Sequence, residues 1–592
     1  MIPERFGIRV MDDKGVQKQF GIIKRLISKA EKVVNCGDAG QEGELIQRWV
    51  MQQAGCKCPV ERLWISSLTE EAIREGFANL KDAAAYQRLY MAGMARAVGD
   101  WLLGMNATRA YTIKYRSPDR TKKQVLSIGR VQTPTLALVV ARHREIENFV
   151  PIPYWELKTL YRNTTFSAKS GRFDTEAEGA ALLAKVTDKP LRITSISRKE
   201  GVEHSPRLFD LTSLQVECNK RYGFSADETL RYIQSLYEKK LTTYPRVDTT
   251  YLSEDMHPKI ANILRGLVGY EELAAPLLAH PIPKKKNIFD NSKITDHHAI
   301  IPTGVKSNNL NGSEAKVYDM VARRLLSVFY PVCKIATTTV EADCEGIGFK
   351  VSGKEIIDPG WRILYQRTSE EHDEENDKEK EETTLPNFIK GEEGTHQPSF
   401  AMKKTTPPKP YTEATLLRAM ETAGKLVEDG DLRDAMKENG IGRPSTRAAV
   451  IETLFKRDYI RKQRKSLSAT QTGIQLIDAI NDELIKSVEL TGQWERKLRM
   501  IDQGNYDPQQ FVDELKKLTS EVIQNVKQGK TAPAPPAITC PLCGGSILKG
   551  KSAYGCSGYV QGCDFRLPFE YYGDALTVGQ MRSLIDRLKP RR

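Results

Sequence analysis

Tyr244 and Arg246 stand two residues apart in the segment from Leu241 to Ser253, behind a basic pair (Lys239, Lys240) and ahead of a run of small hydroxyl residues. A phenol is a weak nucleophile at its ordinary pKa and needs nearby positive charge to hold its oxyanion. Arg246 supplies a permanent charge in a fork that matches phosphate oxygens. Pro245 fixes one backbone torsion and places both side chains on a stiff bend. This pattern points to a tyrosine that attacks a phosphodiester. A packed core tyrosine before a turn explains the same residues, and with 22 tyrosines in the chain it is the stronger reading of this segment alone.

Other clusters shift that balance. Asp38 and Glu42 lie four apart in Gly37-Asp38-Ala39-Gly40-Gln41-Glu42-Gly43-Glu44. Glycines let such a loop bend so that two carboxylates converge on one hard cation, the usual way to hold magnesium. A solvated acidic turn capping the next helix is the bland alternative. Ser127, Ile128, Gly129, Arg130, Val131 and Gln132 precede Thr133, Pro134, Thr135 and an apolar helix from Leu136 to Val140. Donors gathered at a helix N-terminus suit a phosphate backbone, although an ordinary capped turn has the same composition. Asp296-His297-His298 offers adjacent histidines that cannot easily share one metal. One reads as a phosphate or proton-handling group and the other as structural. Arg443, Ser445, Thr446 and Arg447 open a helix from Ala448 to Phe455, followed by a basic segment, Lys456 to Lys465, of β-ribbon character. Helix plus basic ribbon is the layout of a winged DNA-binding element, with a solvated hairpin as the alternative. The strongest local signal is Cys540, Cys543, Cys556 and Cys563, whose paired spacing matches a structural zinc ribbon. Four thiolates leave no open position for catalysis, and so small a module depends on metal for its stability.

These clusters sit in a 592-residue chain of net charge +13, long enough for several cores and suited to an anionic partner. No apolar run approaches the ~20 residues of a membrane span. No signal peptide is evident and six cysteines are scattered, which gives a cytoplasmic expectation. Val16, Phe20, Ile23 and Ile27 mark an amphipathic helix, a short strand runs from Lys32 to Cys36, and a second helix is expected near Leu45. Helix, strand, acidic loop and helix make one piece of a parallel α/β sheet. Residues 67–115 read as helical and end in a basic run to Lys123. Residues 151–200 and 335–365 alternate like strands and flank a helical stretch, 209–330, which suggests one β domain interrupted by the tyrosine domain. Nine acids in 370–382 read as a solvated loop. Pro407 to Pro410 and Thr531 to Ala537 read as linkers.

Together the segments Gly37–Glu44, Arg62–Thr69, Gly104–Arg109, Ser127–Thr135, Thr243–Arg246, Asp296–Thr303, Tyr411–Leu416 and Gly440–Arg447 resemble the type IA DNA topoisomerases, specifically the bacterial topoisomerase III group. The resemblance implies a multidomain α+β fold. Its parts are a truncated α/β Toprim domain (1–66), helical and winged-helix-like DNA-binding parts (67–148 and 406–527), a β domain in two parts (149–208 and 335–405) and a helical tyrosine domain (209–334), forming an open ring. A zinc ribbon (536–570) and a basic C-terminal tail (571–592) follow. It further implies that Tyr244 cleaves single-stranded DNA to give a 5′-phosphotyrosine, with Arg246 and His297 acting at the phosphate. Asp38 and Glu42 would hold Mg2+, Ser127, Arg130 and Gln132 would grip the strand, and resealing would need no ATP. Single-stranded and underwound duplex DNA are the implied partners, with a helicase as a further candidate, for a nucleoid-associated monomer.

Two departures accompany the resemblance. Gly40 stands where many relatives carry an acid, which leaves one fewer metal ligand. The family also begins with a strand bearing an essential Glu and Lys, and nothing in residues 1–30 replaces it. The chain as given is therefore expected to bind single-stranded DNA and to cleave it poorly. Three readings follow: a strand-passing topoisomerase, a catalytically inactive single-stranded DNA-binding remnant, and a metal-dependent nuclease, which leaves Tyr244 unexplained.

Overall fold

A computed structural model of the chain describes residues 2–588 apart from 66–69, 116–123, 295, 307–309, 366–383, 428–429, 437–439, 529–537, 551, 572–573 and 577. The acidic run 370–382, the linker Thr531–Ala537, the basic run after Tyr115 and the segment Ser66–Thr69 lie outside the described residues.

The first unit forms as its periodicity dictates. Helix Lys14–Ile27 starts at Asp13, whose carboxylate accepts from Val16 N at 2.9 Å, and strand Val33–Asn35 follows. That strand pairs in parallel with Val60–Arg62, which pairs antiparallel with Lys81–Asp82. The second helix begins earlier than its apolar residues suggest, at Gln41 rather than near Leu45, and runs to Ala54. Glu42 and Glu44 occupy its first turn, where carboxylates are favoured by the exposed N–H groups. Strand Lys81–Asp82 likewise interrupts the stretch 67–115 that reads as all-helical.

The 29-residue helix Gln87–Tyr115 and helix Gln132–Glu147 share one hydrophobic core with helices between Glu413 and Gln528. Two sequence-distant halves thus make one helical body, as their flanking positions imply. Within it, helix Pro444–Lys456 leads into the antiparallel ribbon Ile460–Gln463 and Ser466–Ala469. This is the helix-plus-ribbon layout expected there. Pro444 at the helix start costs no hydrogen bond, because that N–H has no partner within the helix.

Residues from both β segments form one seven-stranded sheet in the order 397–404, 153–161, 164–173, 347–358, 333–344, 191–203 and 393–394. Helix Glu176–Val186 interrupts the stretch 151–200 that alternates like strands. Its Ala- and Leu-rich sequence and two acids in the first turn favour helix over sheet. The chain leaves this sheet at Glu203 and returns at Cys333, residues paired directly opposite each other. Between them, 208–330 folds around its own core. A two-stranded stalk therefore carries the tyrosine domain. Arg362 clamps the end of the stalk with hydrogen bonds of 2.7–2.9 Å to the Glu203 carboxylate.

The C-terminal segment departs from expectation. Residues 571–592 are not a plain basic tail, because helix Val578–Leu588 lies within them. Met581, Leu584 and Ile585 follow helical spacing and bury against Val150, Cys540 and Phe565, so this helix belongs to the core of the cysteine module. Among the described residues, no helix is long and apolar enough to cross a membrane.

Candidate active site

Tyr244 reaches its place through a stitched backbone. Helix Ala226–Glu238 begins with a capping box between Ser225 and Glu228, and Lys240 takes a left-handed φ of 61° that turns the chain back. Thr243 N then donates to Ile301 O at 2.9 Å, and Ile301 N donates to Thr243 Oγ1 at 3.0 Å. Ala299 N donates to Tyr251 O at 2.8 Å. The tyrosine segment and the histidine segment are therefore one tied unit, although 53 residues separate Tyr244 from His297.

The rings of Tyr244 and His297 lie 4.5 Å apart at 45°, and Tyr237 meets Tyr244 edge-on at 5.4 Å. His297 Nε2 stands 3.7 Å from Asp38 Oδ1, a loose contact beyond hydrogen-bond length. His298 is buried with Nδ1 2.9 Å from the Ala299 carbonyl, and burial holds its pKa below the usual value.

Asp38 comes from the other side of the cleft, on the loop after strand Val33–Asn35. Arg62 fixes that loop. Fully buried, it donates to the backbone oxygens of Asn35, Gly37, Asp38 and Leu63 at 2.6–3.1 Å and to Glu44 Oε2 at 2.8 Å. Glu44 also accepts from Arg48 at 2.6 Å and Asn35 at 3.2 Å, so its carboxylate is spent inside the domain. Two residues earlier, Glu42 is exposed at the cleft, as is Asp38. His297, with Arg62 and Arg246 behind it, holds Asp38 below the usual carboxylate range. Burial is the main effect that raises the Tyr244 pKa. Asp38 adds to the rise and Arg246 opposes it.

A cavity of 420 Å³ collects these groups. Asp38, Glu42, Tyr244, Arg246, His297, Arg443, Ser445 and Thr446 line it, together with Asp248 and Asp296. Asp296 packs against Gly40 so closely that a β-carbon there would lie 2.2 Å from its carboxylate oxygen. Burial, with Asp248 adding to it, pushes Asp296 up to about 6. The Asp296 carboxylate thus occupies the space that a side chain at position 40 would take.

A second groove of 570 Å³ shares Gln41, Glu42, Ile46, Arg443 and Thr446 with this cavity and is lined by Ile128 to Gln132. Gln132 donates to Ser127 Oγ at 2.6 Å, and Arg443 donates to Gln41 Oε1 at 2.9 Å. Two expected strand contacts are occupied otherwise. Arg130 is buried between Asp100 and Glu495, both at 3.0 Å, and these carboxylates hold its charge against the penalty of burial. Arg447 is buried and donates to Thr212 Oγ1 at 2.8 Å and to Gly442 O at 3.1 Å. Both guanidiniums fix helices behind the groove. Ile128 is buried, and Val131 forms part of the groove wall. Arg62, Asp296 and Glu495 are site-building residues that local spacing does not reveal.

The C-terminal cysteines form a separate centre. Their four sulfurs lie within 4.8 Å of one another, with Cys543–Cys556 at 3.2 Å and Cys540–Cys563 at 3.6 Å. These spacings are far beyond the ~2 Å of a disulfide and suit a tetrahedral site of Zn–S bonds near ~2.3 Å. A hydrogen bond from the Gly545 backbone is the first cause that lowers the Cys543 thiol to about 7, toward the thiolate a metal takes.

Comparison with known proteins identifies the family of the chain. The sequence family described as DNA topoisomerase matches residues 84–513. DNA topoisomerase 3 of Bacillus licheniformis is 36% identical over 569 residues, covering 93% of this chain and 76% of that protein. DNA topoisomerase 3 of Bacillus subtilis is 34% identical over 568 residues with the same coverage. Among solved structures, full-length topoisomerase I from Thermotoga maritima aligns with a TM-score of 0.66, covering 95% of this chain and 89% of that one at 22% identity. Extended identity to topoisomerase 3 proteins and the shared fold lead to one conclusion: the chain belongs to the type IA DNA topoisomerases, in the topoisomerase III group.

Proposed function

We propose that this protein changes DNA topology by breaking and rejoining one strand through Tyr244, with no ATP. The observation that carries the reading is the meeting of two distant units at one point. Tyr244 and His297 come from the tyrosine domain, Asp38 comes from the α/β loop and Glu42 from the first turn of the helix that follows it, around one cavity. The phenolic oxygen attacks a backbone phosphorus, the bond to the 3′-oxygen breaks, and that oxygen takes up a proton as the phenol gives one up. One phosphodiester is exchanged for one phosphotyrosine, so the reverse attack reseals the strand.

Each residue has a definite part. Arg246 offers a charged fork to the phosphate oxygens and favours the phenolate. His297 packs on the tyrosine ring and holds its orientation between phosphate and Asp38. Asp38 and Glu42 are the open carboxylates that would hold magnesium, which when bound neutralises charge at the phosphate. Gln132, Arg443, Ser445 and Thr446 line the approach for a single strand, with Ser127 holding Gln132 through its hydroxyl, and the strand's phosphates suit a chain of net charge +13. The four-cysteine centre would take one structural zinc.

The test is Tyr244→Phe. Single-strand binding should persist, because the ring still packs, and covalent DNA capture on denaturing gels should vanish. Recovery of an adduct from the Phe variant would move the nucleophile elsewhere. Unchanged binding with no adduct from the unsubstituted protein would favour a DNA-binding protein without cleavage.

A further inference from the structure

Outside the C-terminal centre, six cysteines take no part in the proposed reaction. Cys218, Cys333 and Cys344 are buried, and Cys36 is exposed just past its strand. Cys56 and Cys58 differ from all four. Their sulfurs stand 3.6 Å apart, and among the described residues no other two thiols outside the C-terminal centre are in contact. Both are half-buried, so small molecules reach them. The fold anchors the pair from either side. Helix Gln41–Ala54 ends at Gly55, whose left-handed φ of 72° turns the chain out of the helix, and Cys56 N then donates to Met51 O at 3.0 Å. Beyond the pair, Pro59 O accepts from Val33 N at 3.0 Å, directly before strand Val60–Arg62. Only the exposed Lys57 lies between the two cysteines. Burial is the first cause that pushes the Cys56 thiol up, and Cys58 beside it adds to the rise.

A structural zinc takes four ligands, and among the described residues no third cysteine, histidine or carboxylate joins this pair. A disulfide needs only the two sulfurs, brought to ~2 Å. Residues two apart keep their Cα atoms within ~7 Å of each other, so side-chain rotation can close the gap. We propose that Cys56 and Cys58 are a thiol–disulfide exchange site whose substrate is a small-molecule disulfide. One thiolate attacks a sulfur of that molecule, its S–S bond breaks, and one half leaves as a thiol with the proton the cysteine gave up. The second cysteine then gives up its own proton and attacks the protein sulfur of the mixed disulfide, which releases the other half as a thiol. Two protein thiols are oxidised to one disulfide, and one small disulfide is reduced to two thiols. The new bond bridges the turn that joins the helix bearing Glu42 to the strand bearing Arg62. The unit that carries the acidic loop thereby registers the thiol balance of its surroundings.

The test exposes the full chain to oxidised glutathione, alkylates the remaining thiols under denaturing conditions and digests the protein with trypsin in the absence of reductant. Trypsin cuts after Arg48, Lys57 and Arg62, and so between the two cysteines. Peptides 49–57 and 58–62 should stay joined, two hydrogens lighter than their sum, and carry no glutathione. Cys36, with no second sulfur in contact, should keep glutathione and serves as the internal comparison. Cys56→Ser should leave glutathione on Cys58, because no neighbouring thiol remains to displace it. Glutathione retained on either residue of the unsubstituted protein, or both thiols found alkylated, would overturn the proposal.

Discussion

At the scale of single residues, the site separates carboxylates by what they touch. Glu44 and Glu42 are two apart on one helix turn, yet Glu44 is sealed by Arg48, Arg62 and Asn35 while Glu42 faces the cleft. Tyr244 and the acid pair could be singled out in the sequence because a tyrosine beside a guanidinium and a glycine-broken acidic loop are local patterns. A packed core tyrosine and a solvated turn explained the same residues, however, and only the resemblance gave them roles. Arg62 was not legible as the clamp of that loop. Its role depends on strand pairing that brings Asn35, Gly37 and Asp38 around it, and an arginine at a strand end otherwise reads as surface. Arg62→Ala should strip the loop of its donors and leave Glu44 buried with one cation fewer. Losing one partner of a buried pair costs about 3–5 kcal/mol. Thermal unfolding of the variant should show the α/β unit melting earlier, and an unchanged melting profile would contradict the clamp.

Elements show a different balance between what was readable and what was not. Helix Gly312–Ser327 carries a capping box in which Asn311 Oδ1 accepts from Glu314 N at 2.8 Å and the Glu314 carboxylate accepts from Asn311 N at 3.2 Å. Glu314 is buried and also binds Lys239 at 2.7 Å and Ser235 at 2.6 Å, which ties two helices of the tyrosine domain. Lys239, first among these partners, holds the Glu314 carboxyl below its usual range. A depressed acid stabilises the fold above its unfolded pKa of ~4.3, and that contribution is lost as pH falls through the lower folded value. Glu314→Gln should cost about 1–2 kcal/mol at neutral pH, since Lys239 is half-exposed and screened. The difference from the unsubstituted protein should shrink below about pH 4, and a pH-independent difference would contradict the ion pair. The C-terminal helix was misread as a tail because Arg582 and the basic residues from Arg587 to Arg592 mask a three-residue apolar stripe. That stripe joins the cysteine core, so replacing Cys540 and Cys543 by Ser should release about one zinc per chain and melt this module while the rest stays folded. Metal analysis and calorimetry check both, and unchanged zinc content would refute the four-thiolate site.

Across the whole molecule, the interrupted β domain and the split helical body were readable, because alternation and helical spacing survive an insertion. How the units face one another was not, since no local pattern records a contact between Gly40 and Asp296 or between Asp38 and His297. Those contacts make the site: the tyrosine domain, carried on its two-stranded stalk, closes against the acidic loop and completes a centre that neither holds alone. In this composite cleft Tyr244 is expected to capture the 5′-phosphate end of a broken strand. One oligonucleotide, labelled in separate samples at its 5′ and its 3′ terminus, tests this after denaturation with magnesium present. The 3′ label should travel with the protein on a peptide containing Tyr244, while the 5′ label is released on a fragment with a free 3′-hydroxyl. Protein carrying the 5′ label, or both labels released on free fragments, would contradict it.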